Sequence, residues 1–542
     1  MQGIESLRRN SFPELQAYKR REKRKNLRKT LKEKNALKKE SMKKKNKRQA
    51  GILMPISSLP SSQGIGTLGK SAYAFVDWLQ SAGMRVWQVL PLLPTSYGDS
   101  PYQSYASNAL NYYFIDFERL KEDGLLEKSE YADIVWAEDE RRVDYGRLFT
   151  QKIPVLEKAF KRFNRESAEW QEFINKGEYK DFAVFMTLKR KFSYAPWSGW
   201  VEPYRSCQIP ESFYKDNAEE LLFWQFTQYI FRKQWQKLKS YANARGIKIM
   251  GDMPIYVSED SVENWKYRDE LFMLDSQGNL AVKAGVPPDA FCDEGQFWGN
   301  PVYDWEKLKK TDYAWWKERI KHAFDTQFDI IRIDHFRAFD RFYAIPANAE
   351  SAKEGEWMDG PKEALFKDFK DANIVAEDLG IIDDGVRELL RKTGYPGMKI
   401  FEFAFDGNPE NEYVPSNITD ENCVAYTGTH DNQPLRAFIE SLDITERKTF
   451  EKTFEEECLK FDVPYCTETM EDECKSVIEL LFSCKANLVL IPMQDVLCMG
   501  EESRMNAPAT VSSQNWTFRF LEKDFGVRKA AWLKELAEKY NR

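Results

Sequence analysis

Four carboxylates stand where short apolar runs of the sequence end: Asp252, Asp334, Glu377 and Asp431. Each run is typical of a buried β-strand, and the carboxyl ends of barrel strands converge on one mouth, where active sites lie. A single Asp after a strand commonly caps a turn, but four at equivalent positions predict a cluster. Clustered acids can act as nucleophile, general acid and charge stabiliser, as a retaining glycosidase requires, because mutual repulsion raises the pKa of one of them.

The histidines restrict the chemistry further. There are three, and two of them adjoin the acids, as Asp334-His335 and His430-Asp431. A three-histidine zinc site would use every histidine of the chain, and no HExxH motif occurs, so we expect no metal site. A neutral imidazole can instead donate a hydrogen bond to a sugar hydroxyl without adding charge. We interpret the remaining His322 as structural.

Arg332 and the aromatic residues add to this hypothesis. Arg332 lies two residues before Asp334, so both side chains project to the same side of the predicted strand. A fixed guanidinium there would keep Asp334 ionised and oriented. Trp, Tyr and Phe together make up 77 of the 542 residues. This excess favours a ligand with flat apolar faces, such as a sugar.

Eight apolar runs alternate with helical patterns and predict an α/β fold, a (β/α)₈ TIM barrel. The runs cover residues 51–56, 86–92, 247–252, 328–334, 373–378, 398–405, 423–429 and 487–492. Two connections are too long for a simple barrel, so we predict mostly helical subdomains inserted after strands 2 and 7, at about 97–240 and 432–486. About 50 residues follow the last run, which is too few for a C-terminal β-sandwich of about 100 residues.

Charge divides the chain into two regions. Residues 1–48 hold 19 Lys and Arg against 5 Asp and Glu, whereas residues 49–542 hold 61 against 81. We therefore predict a basic, disordered N-terminal extension at 1–48 and an acidic catalytic barrel at 49–542 that does not bind nucleic acid. An RNA-binding role of the extension stays open. We expect a cytoplasmic protein without a membrane span, because the sequence has no secretory signal and no apolar run of about 18 residues.

The residues that carry this chemistry resemble the α-amylase superfamily, with R-x-D at the fourth strand, Glu at the fifth and H-D at the seventh. Longer strings are similar to one branch, the amylomaltases or 4-α-glucanotransferases. These strings include ILMPISSLPSSQGIGTLG, GDMPIYVSEDSVENW, AGVPPDAFCDEGQFWGNPVYDW, IRIDHFRAF, VAEDLG, YTGTHDN and RMNAPATVSSQNW. They run in order from about residue 51 to residue 519.

The resemblance implies a retaining 4-α-glucanotransferase that moves α-1,4-glucan segments between malto-oligosaccharides, with glucose among the acceptors and without a cofactor. Asp334 would be the nucleophile that forms a covalent glucosyl-enzyme, Glu377 the general acid/base and Asp431 the transition-state stabiliser. The implied substrate-binding residues are Tyr102, Asp252, Asp289, Gln296, Trp298, Arg332, His430 and Asn506. For Asp252 a structural role, capping backbone amides, is the alternative.

A few positions depart from the commonest pattern of that family. Ala290, Gln433, Pro434 and Ala509 replace residue types that are frequent there, which affects acceptor preference and not the class of reaction. Two other functions stay open at this stage. One is an amylase-type α-1,4-glucan hydrolase, and the other is a non-catalytic glucan-binding barrel, which the three intact carboxylates disfavour.

Overall fold

The computed structural model describes residues 48–96, 98–288, 293–380 and 382–542. Its strands are Gln49–Leu53 (β1), Val86–Gln88 (β2), Lys248–Met253 (β3), Val282–Val286 (β4), Gln296–Pro301 (β5), Ile330–Ile333 (β6), Arg341–Pro346 (β7), Glu356–Asp359 (β8), Ile374–Ala376 (β9), Gly397–Ile400 (β10), Cys423–Tyr426 (β11) and Leu488–Pro492 (β12). Eight of them form one parallel sheet in the order β10-β11-β12-β1-β2-β3-β6-β9. Each coincides with one of the eight apolar runs, so the prediction of a (β/α)₈ barrel is confirmed.

The interior of the barrel is filled by one apolar cluster to which every strand of this sheet contributes. Its members are Leu53, Val86, Met250, Ile330, Val375, Met398, Ile400, Val424, Tyr426 and Leu490. The opposite faces of the strands pack against the surrounding helices. Burial on both faces explains why these strands are continuous apolar runs in the sequence and do not alternate with polar residues.

The barrel has a seam between β9 and β10, where the strand ladder is replaced by two other hydrogen bonds. The amide of Ala376 donates to the carbonyl of Pro396 at 2.9 Å. The amide of Met398 donates to Oδ1 of the buried Asp378 at 2.6 Å. A Cβ at Gly397 would lie 2.4 Å from the Asp378 carboxylate, so glycine permits this approach. A side chain therefore completes the barrel beside Glu377.

Helices surround the sheet. They are Lys70–Ser81 (α1), Phe117–Glu122 (α2), Tyr145–Arg162 (α3), Ala168–Lys176 (α4), Lys180–Lys191 (α5), Glu211–Asp216 (α6), Ala218–Ala244 (α7), Val262–Lys266 (α8), Arg268–Leu271 (α9), Trp305–Lys310 (α10), Ala314–Thr326 (α11), Asp384–Thr393 (α12), Leu435–Ser441 (α13), Ile444–Phe461 (α14), Met470–Ser483 (α15), Met493–Val496 (α16) and Val527–Lys539 (α17). Local signals set their ends: Asp383 caps α12 through the amides of Gly385 and Val386, and Gly394 ends it with φ of +72°.

Both long connections of the barrel are helical. Helices α2 to α7 lie between β2 and β3, and α13 to α15 lie between β11 and β12. The division of the chain into inserted subdomains stays a prediction, and residues 1–47 lie outside the described part of the chain. In residues 493–542, all of which are described, the structure has two α-helices and no strand.

A second sheet is present that the sequence analysis missed. Strands β5, β4, β7 and β8 pair antiparallel in that order, and they come from the connections that follow β3 and β6. The strand β8 has four residues, begins with Glu and ends with Asp, and so lacks the continuous apolar character of the barrel strands. This sheet carries Gln296 and Trp298, both on β5.

The segment Trp516–Phe520 connects distant parts of the chain. The amide of Phe520 and the carbonyl of Phe518 pair with Ser58, which follows β1. The carbonyl of Thr517 accepts from the amide of Val143, just before α3. The start of the barrel and the first long connection are thus joined by a segment near residue 520. No helix among the described residues is long and apolar enough to cross a membrane.

Candidate active site

The four carboxylates singled out in the sequence lie at the carboxyl ends of barrel strands. Asp252 belongs to the end of β3, and Asp334 and Glu377 directly follow β6 and β9. Asp431 lies five residues after β11 ends, in the loop that precedes α13. Their charges interact, because Asp252, Glu377 and Asp431 all raise the pKa of Asp334. The structure therefore brings the four acids to one mouth of the barrel, as strand ends require.

Arg332 lies between two of these acids. It pairs with Asp252 across the β3–β6 register, so the two side chains point the same way. Its Nη1 is 2.8 and 2.7 Å from the two carboxylate oxygens of Asp252 and 3.1 Å from Oδ1 of Asp334. Arg332 and Asp252 are buried, with 4% and 0% of their side chains exposed, whereas Asp334 keeps 27%. One guanidinium thus orients the accessible carboxylate and neutralises the hidden one.

Tyr102 and His430 extend this network. The Tyr102 hydroxyl lies 2.9 Å from Oδ2 of Asp252 and 2.8 Å from Nε2 of His430. The hydroxyl donates its single proton to the carboxylate, so it accepts from His430, which places a proton on Nε2. Burial lowers the pKa of His430, which favours the neutral imidazole. The same nitrogen lies 3.3 Å from Oδ2 of Asp431.

Asp431 is held from the opposite side by the segment that follows α16. The side chain of Asn506 donates to Oδ1 of Asp431 at 2.7 Å, and its backbone amide donates to the carbonyl of His430 at 3.1 Å. Arg504 donates to the backbone carbonyl of Asp431 at 3.1 Å. The side chain of Asp431 is 40% exposed, so its carboxylate is fixed in position and still open to the cleft.

Glu377 is buried, and both of its carboxyl oxygens accept backbone hydrogen bonds. Oε2 accepts from the amide of His335 at 2.6 Å, and Oε1 accepts from the amide of Leu379 at 2.8 Å. His335 has φ of +46°, a left-handed conformation that is rare for residues with a Cβ. In this turn, the amide of His335, the residue directly after Asp334, points at Glu377. The end of β6 therefore positions both acids.

Burial raises the pKa of both acids, and the guanidinium of Arg332 opposes the shift at both. Burial raises the pKa of Glu377, and the charge of Asp431 adds to this effect. Burial also raises the pKa of Asp334, but the guanidinium of Arg332 opposes the shift at a distance of 3.1 Å. Like charges this close do not all ionise, so the two acids share a proton and titrate together.

The antiparallel sheet reaches the site through Trp298. Its indole nitrogen donates to Oε1 of Gln296 at 3.0 Å, and its ring meets His335 edge to face at 4.9 Å between centroids. Trp298 thus lies next to the residue that follows Asp334, and Gln296 holds the indole of Trp298 from the same strand. Asp289 and Ala290, predicted for the same loop, lie outside the described residues.

A further network fixes the loop that carries Asp431, and the sequence analysis missed it. Both the amide and the hydroxyl of Thr429 donate to Oδ1 of Asn432 at 2.9 Å, and the Asn432 side chain donates to Glu402 at 3.0 Å. Burial raises the pKa of Glu402. Glu402 lies two residues past the end of β10, so the strand-end signal would have found it. The predicted run extended to residue 405 and hid that end.

Asp252 lies beneath the site. Its oxygens are occupied by Arg332 and Tyr102, and its side chain has no exposed surface. Asp252 does not cap backbone amides in the structure, because its carboxylate bonds to the side chains of Arg332 and Tyr102. Among the described residues, no group of three or more His, Cys, Asp or Glu is arranged to hold a metal ion.

Comparison with known proteins identifies the family of the chain. The family model for 4-alpha-glucanotransferase matches residues 54–523. The 4-alpha-glucanotransferase of Clostridium butyricum is 42% identical over 500 residues, which are 90% of this chain and 100% of that protein. The one from Streptococcus pneumoniae is 41% identical over 510 residues, 92% of this chain and 98% of its own.

A solved structure is similar over nearly the same length. The amylomaltase from Streptococcus agalactiae, in complex with acarbose, superposes with a TM-score of 0.86 at 38% identity. The match covers 92% of this chain and 100% of the other. The predicted family is confirmed: the chain belongs to the 4-alpha-glucanotransferases, the amylomaltase family of α-1,4-glucan transferases.

Proposed function

We propose that the transfer reaction of this chain proceeds in two steps at Asp334 and Glu377. In the first step, a carboxylate oxygen of Asp334 attacks C1 of a glucose unit while Glu377 gives its proton to the glycosidic oxygen, and the C1–O bond breaks. In the second step, Glu377 takes the proton of an acceptor hydroxyl, whose oxygen attacks C1 and releases Asp334. The configuration at C1 is inverted twice and is therefore retained.

The observation that carries this proposal is the unequal setting of the two acids. Arg332 lies against Asp334, which favours an ionised nucleophile. Glu377 is buried, two amide hydrogen bonds orient its oxygens, and burial raises its pKa. A protonated Glu377 beside an ionised Asp334 is the pairing that the first step requires.

The residues around the two acids have two proposed roles. Some bind the sugar, and others position the side chains that do. Asp431, Asn506 and His430 would bind hydroxyls of the reacting ring and stabilise the oxocarbenium-like transition state. Tyr102 would stack on that ring. Arg332 and Asp252 are positioning residues, since their own partners use their hydrogen-bonding groups.

The acceptor side determines whether transfer exceeds hydrolysis. Transfer requires that a sugar hydroxyl, and not water, reaches the glucosyl-enzyme. We assign Gln296 and Trp298 to this side; Asp289, predicted from the sequence for the same side, lies outside the described residues. We propose malto-oligosaccharides and glucose as the acceptors, in line with the acarbose bound to the Streptococcus agalactiae amylomaltase. No step of this scheme uses a metal ion or an organic cofactor.

Incubation with maltotriose tests the reaction. The expected products are glucose and a ladder of longer oligomers with a constant number of reducing ends. Glucose and maltose alone, with rising reducing ends, would contradict transfer and favour the hydrolase. The Asp334→Asn variant is expected to lose turnover and to keep oligosaccharide affinity, measured by calorimetry. Unchanged turnover in this variant would refute the assignment of the nucleophile.

A further inference from the structure

Two cysteine thiols contact each other outside the proposed active site. Cys474 belongs to α15, and Cys498 follows α16 after one residue. Their sulfurs are 3.6 Å apart and share a hydrogen bond. Cys474 is buried and Cys498 is partly exposed, so a small oxidant can reach one thiol of the pair from solvent. The sugar contacts of the proposed function do not involve either residue.

The surroundings of Cys498 make it the reactive member of the pair. The hydrogen bond with Cys474 lowers the pKa of Cys498, and the charges of Arg436 and Lys529 lower it further. The same hydrogen bond and burial raise the pKa of Cys474, which stays a thiol. A partly exposed thiol of lowered pKa, within 3.6 Å of a second thiol, is the arrangement of redox-active cysteine pairs.

The pair lies close in sequence to the residues that hold Asp431. Helix α16 contains Asp495, which accepts from the hydroxyl of Thr427 at 2.5 Å and from the amide of Leu435 at 2.7 Å, on either side of the catalytic loop. Cys498 precedes Arg504 by six residues, and Arg504 donates to the carbonyl of Asp431. A change at Cys498 therefore acts on a short segment that ends at the site.

We propose that Cys474 and Cys498 form a reversible oxidation site that takes a peroxide as oxidant and controls the position of Asp431. The Cys498 thiolate attacks hydrogen peroxide and becomes a sulfenic acid, releasing water once the leaving hydroxide takes a proton. The Cys474 sulfur then attacks that sulfenic sulfur, and a second water leaves. Two thiols lose two protons and two electrons to give one disulfide, and the peroxide is reduced to two waters.

Disulfide formation requires movement. The sulfurs must approach from 3.6 Å to about 2.05 Å. Cys474 lies within a helix of 14 residues, whereas Cys498 is in a short irregular connection, so the segment after α16 is the part that shifts. That shift is transmitted through Arg504 and Asn506 to Asp431, and it lowers the rate of transfer.

The test uses the full chain treated with hydrogen peroxide. Free thiols are titrated, and linked peptides are identified by mass spectrometry. We expect the loss of two thiols, a peptide that joins Cys474 to Cys498, and a fall in maltotriose transfer of up to about 10²-fold, as misplacement by 1 Å can cause. Dithiothreitol is expected to restore both thiols and rate.

Three variants make the test specific. Cys498→Ser is expected to form no link and to keep its rate after peroxide. Cys474→Ser is expected to stop at the sulfenic acid of Cys498, which dimedone labels. Cys207→Ser removes a partly exposed thiol elsewhere and is expected to behave as the parent does. An unchanged thiol count, or a link between other cysteines, would overturn the site.

The effect of the disulfide on the transfer rate is tested separately from its formation. It rests on the proposed role of Asp431, whereas the thiol count and the peptide link do not. A disulfide that forms while the transfer rate stays constant would overturn the coupling to Asp431. Inactivity of the untreated enzyme on maltotriose would count against the proposed function and leave the chemical test of the disulfide intact.

Discussion

Arg332 faces two carboxylates with one positive charge, and this ratio governs how the acids of the site ionise. Its bonds to Asp252 are buried, whereas Asp334 remains partly exposed. In the proposed scheme the proton shared by Asp334 and Glu377 resides on Glu377, because the guanidinium lies 3.1 Å from Asp334. The pH dependence of the reaction follows from this assignment.

The pH profile of kcat/KM should have an alkaline limb that belongs to Glu377. The free acid has a pKa of about 4.3, and burial raises the pKa of Glu377. Because the first step requires the protonated form, activity is retained as pH rises past the ordinary value and is lost above the raised pKa. The measurement is initial transfer from maltotriose between pH 4 and pH 9.

Glu377→Gln provides the control for this assignment. Transfer from maltotriose is expected to fall by about 10²–10⁴-fold, the usual contribution of a general acid. Release of fluoride from α-maltosyl fluoride, whose leaving group needs little protonation, is expected to survive as a burst. An alkaline limb that persists unchanged in this variant would assign it to another group.

Lys152 is a buried cation whose removal should stabilise the fold. Its Nζ lies 4.5 Å from the centre of the Phe117 ring and has no hydrogen-bond partner among the described residues. Burial lowers the pKa of Lys152 to about 7. Below pH 7 the chain must bury a charge that the unfolded state solvates, and this cost disappears as pH rises from about 7 to about 10.

Lys152→Met is therefore expected to gain on the order of 3 kcal/mol at pH 7 and progressively less toward pH 10. Thermal and denaturant unfolding measure the difference. Lys158→Met, on the exposed face of the same helix, serves as the matched control and should change stability little. A constant gain across this pH range would mean that packing, and not charge, is responsible.

The site residues differ in how far the sequence can predict them. Asp334 and Glu377 directly follow buried strands, so the apolar pattern that defines the strand also places the acid. Arg504 comes from an irregular segment after the last strand, and only tertiary packing brings it to Asp431. The buried role of Asp252 depends on the β3–β6 register, which no pattern within one strand reveals.

At the scale of elements, the barrel strands and the second sheet differ for a physical reason. The barrel strands are buried on both faces and stand out as apolar runs. Strand β5 has a partly exposed face, and neither face of β8 is completely buried. Short, partly exposed strands lack a strong period, so the sheet that carries Trp298 could not be predicted.

The role of Asp378 at the seam between β9 and β10 can be tested by substitution. Asp378→Ala removes the acceptor of the Met398 amide and should cost about 1–3 kcal/mol of stability. Asp378→Asn keeps an acceptor oxygen. Because burial raises the pKa of Asp378 to about 7, ionisation destabilises the parent as pH rises from about 4 to about 7, so the Asn variant should gain relative to it over this range.

Urea unfolding of the three proteins at pH 4.5 and pH 8 measures both effects. Equal stability of Asp378→Ala and the parent at pH 4.5 would show that the side chain does not close the seam. A pH-independent difference between Asp378→Asn and the parent would show that the carboxyl group is not shifted in the folded state.

For the whole molecule, charge is distributed between the extension and the barrel. Residues 1–48 carry a net +14 and residues 49–542 a net −20. Removal of residues 1–41 is expected to leave maltotriose transfer unchanged and to abolish salt-dependent retention on RNA, since phosphate binding requires clustered cations. Retention of the truncated protein on RNA at low salt would place the binding site in the acidic barrel.

The segment from Arg504 to Phe520 has a consequence for biosynthesis. Asp334, Glu377 and Asp431 all leave the ribosome before the residues that hold Asp431 and join the first strand to the first long connection. Folding during synthesis proceeds from the N-terminus. The barrel strands can therefore pair before the hydrogen bonds that position Asp431 have formed. Only after these last contacts are made can the newly synthesised chain begin to exchange glucan.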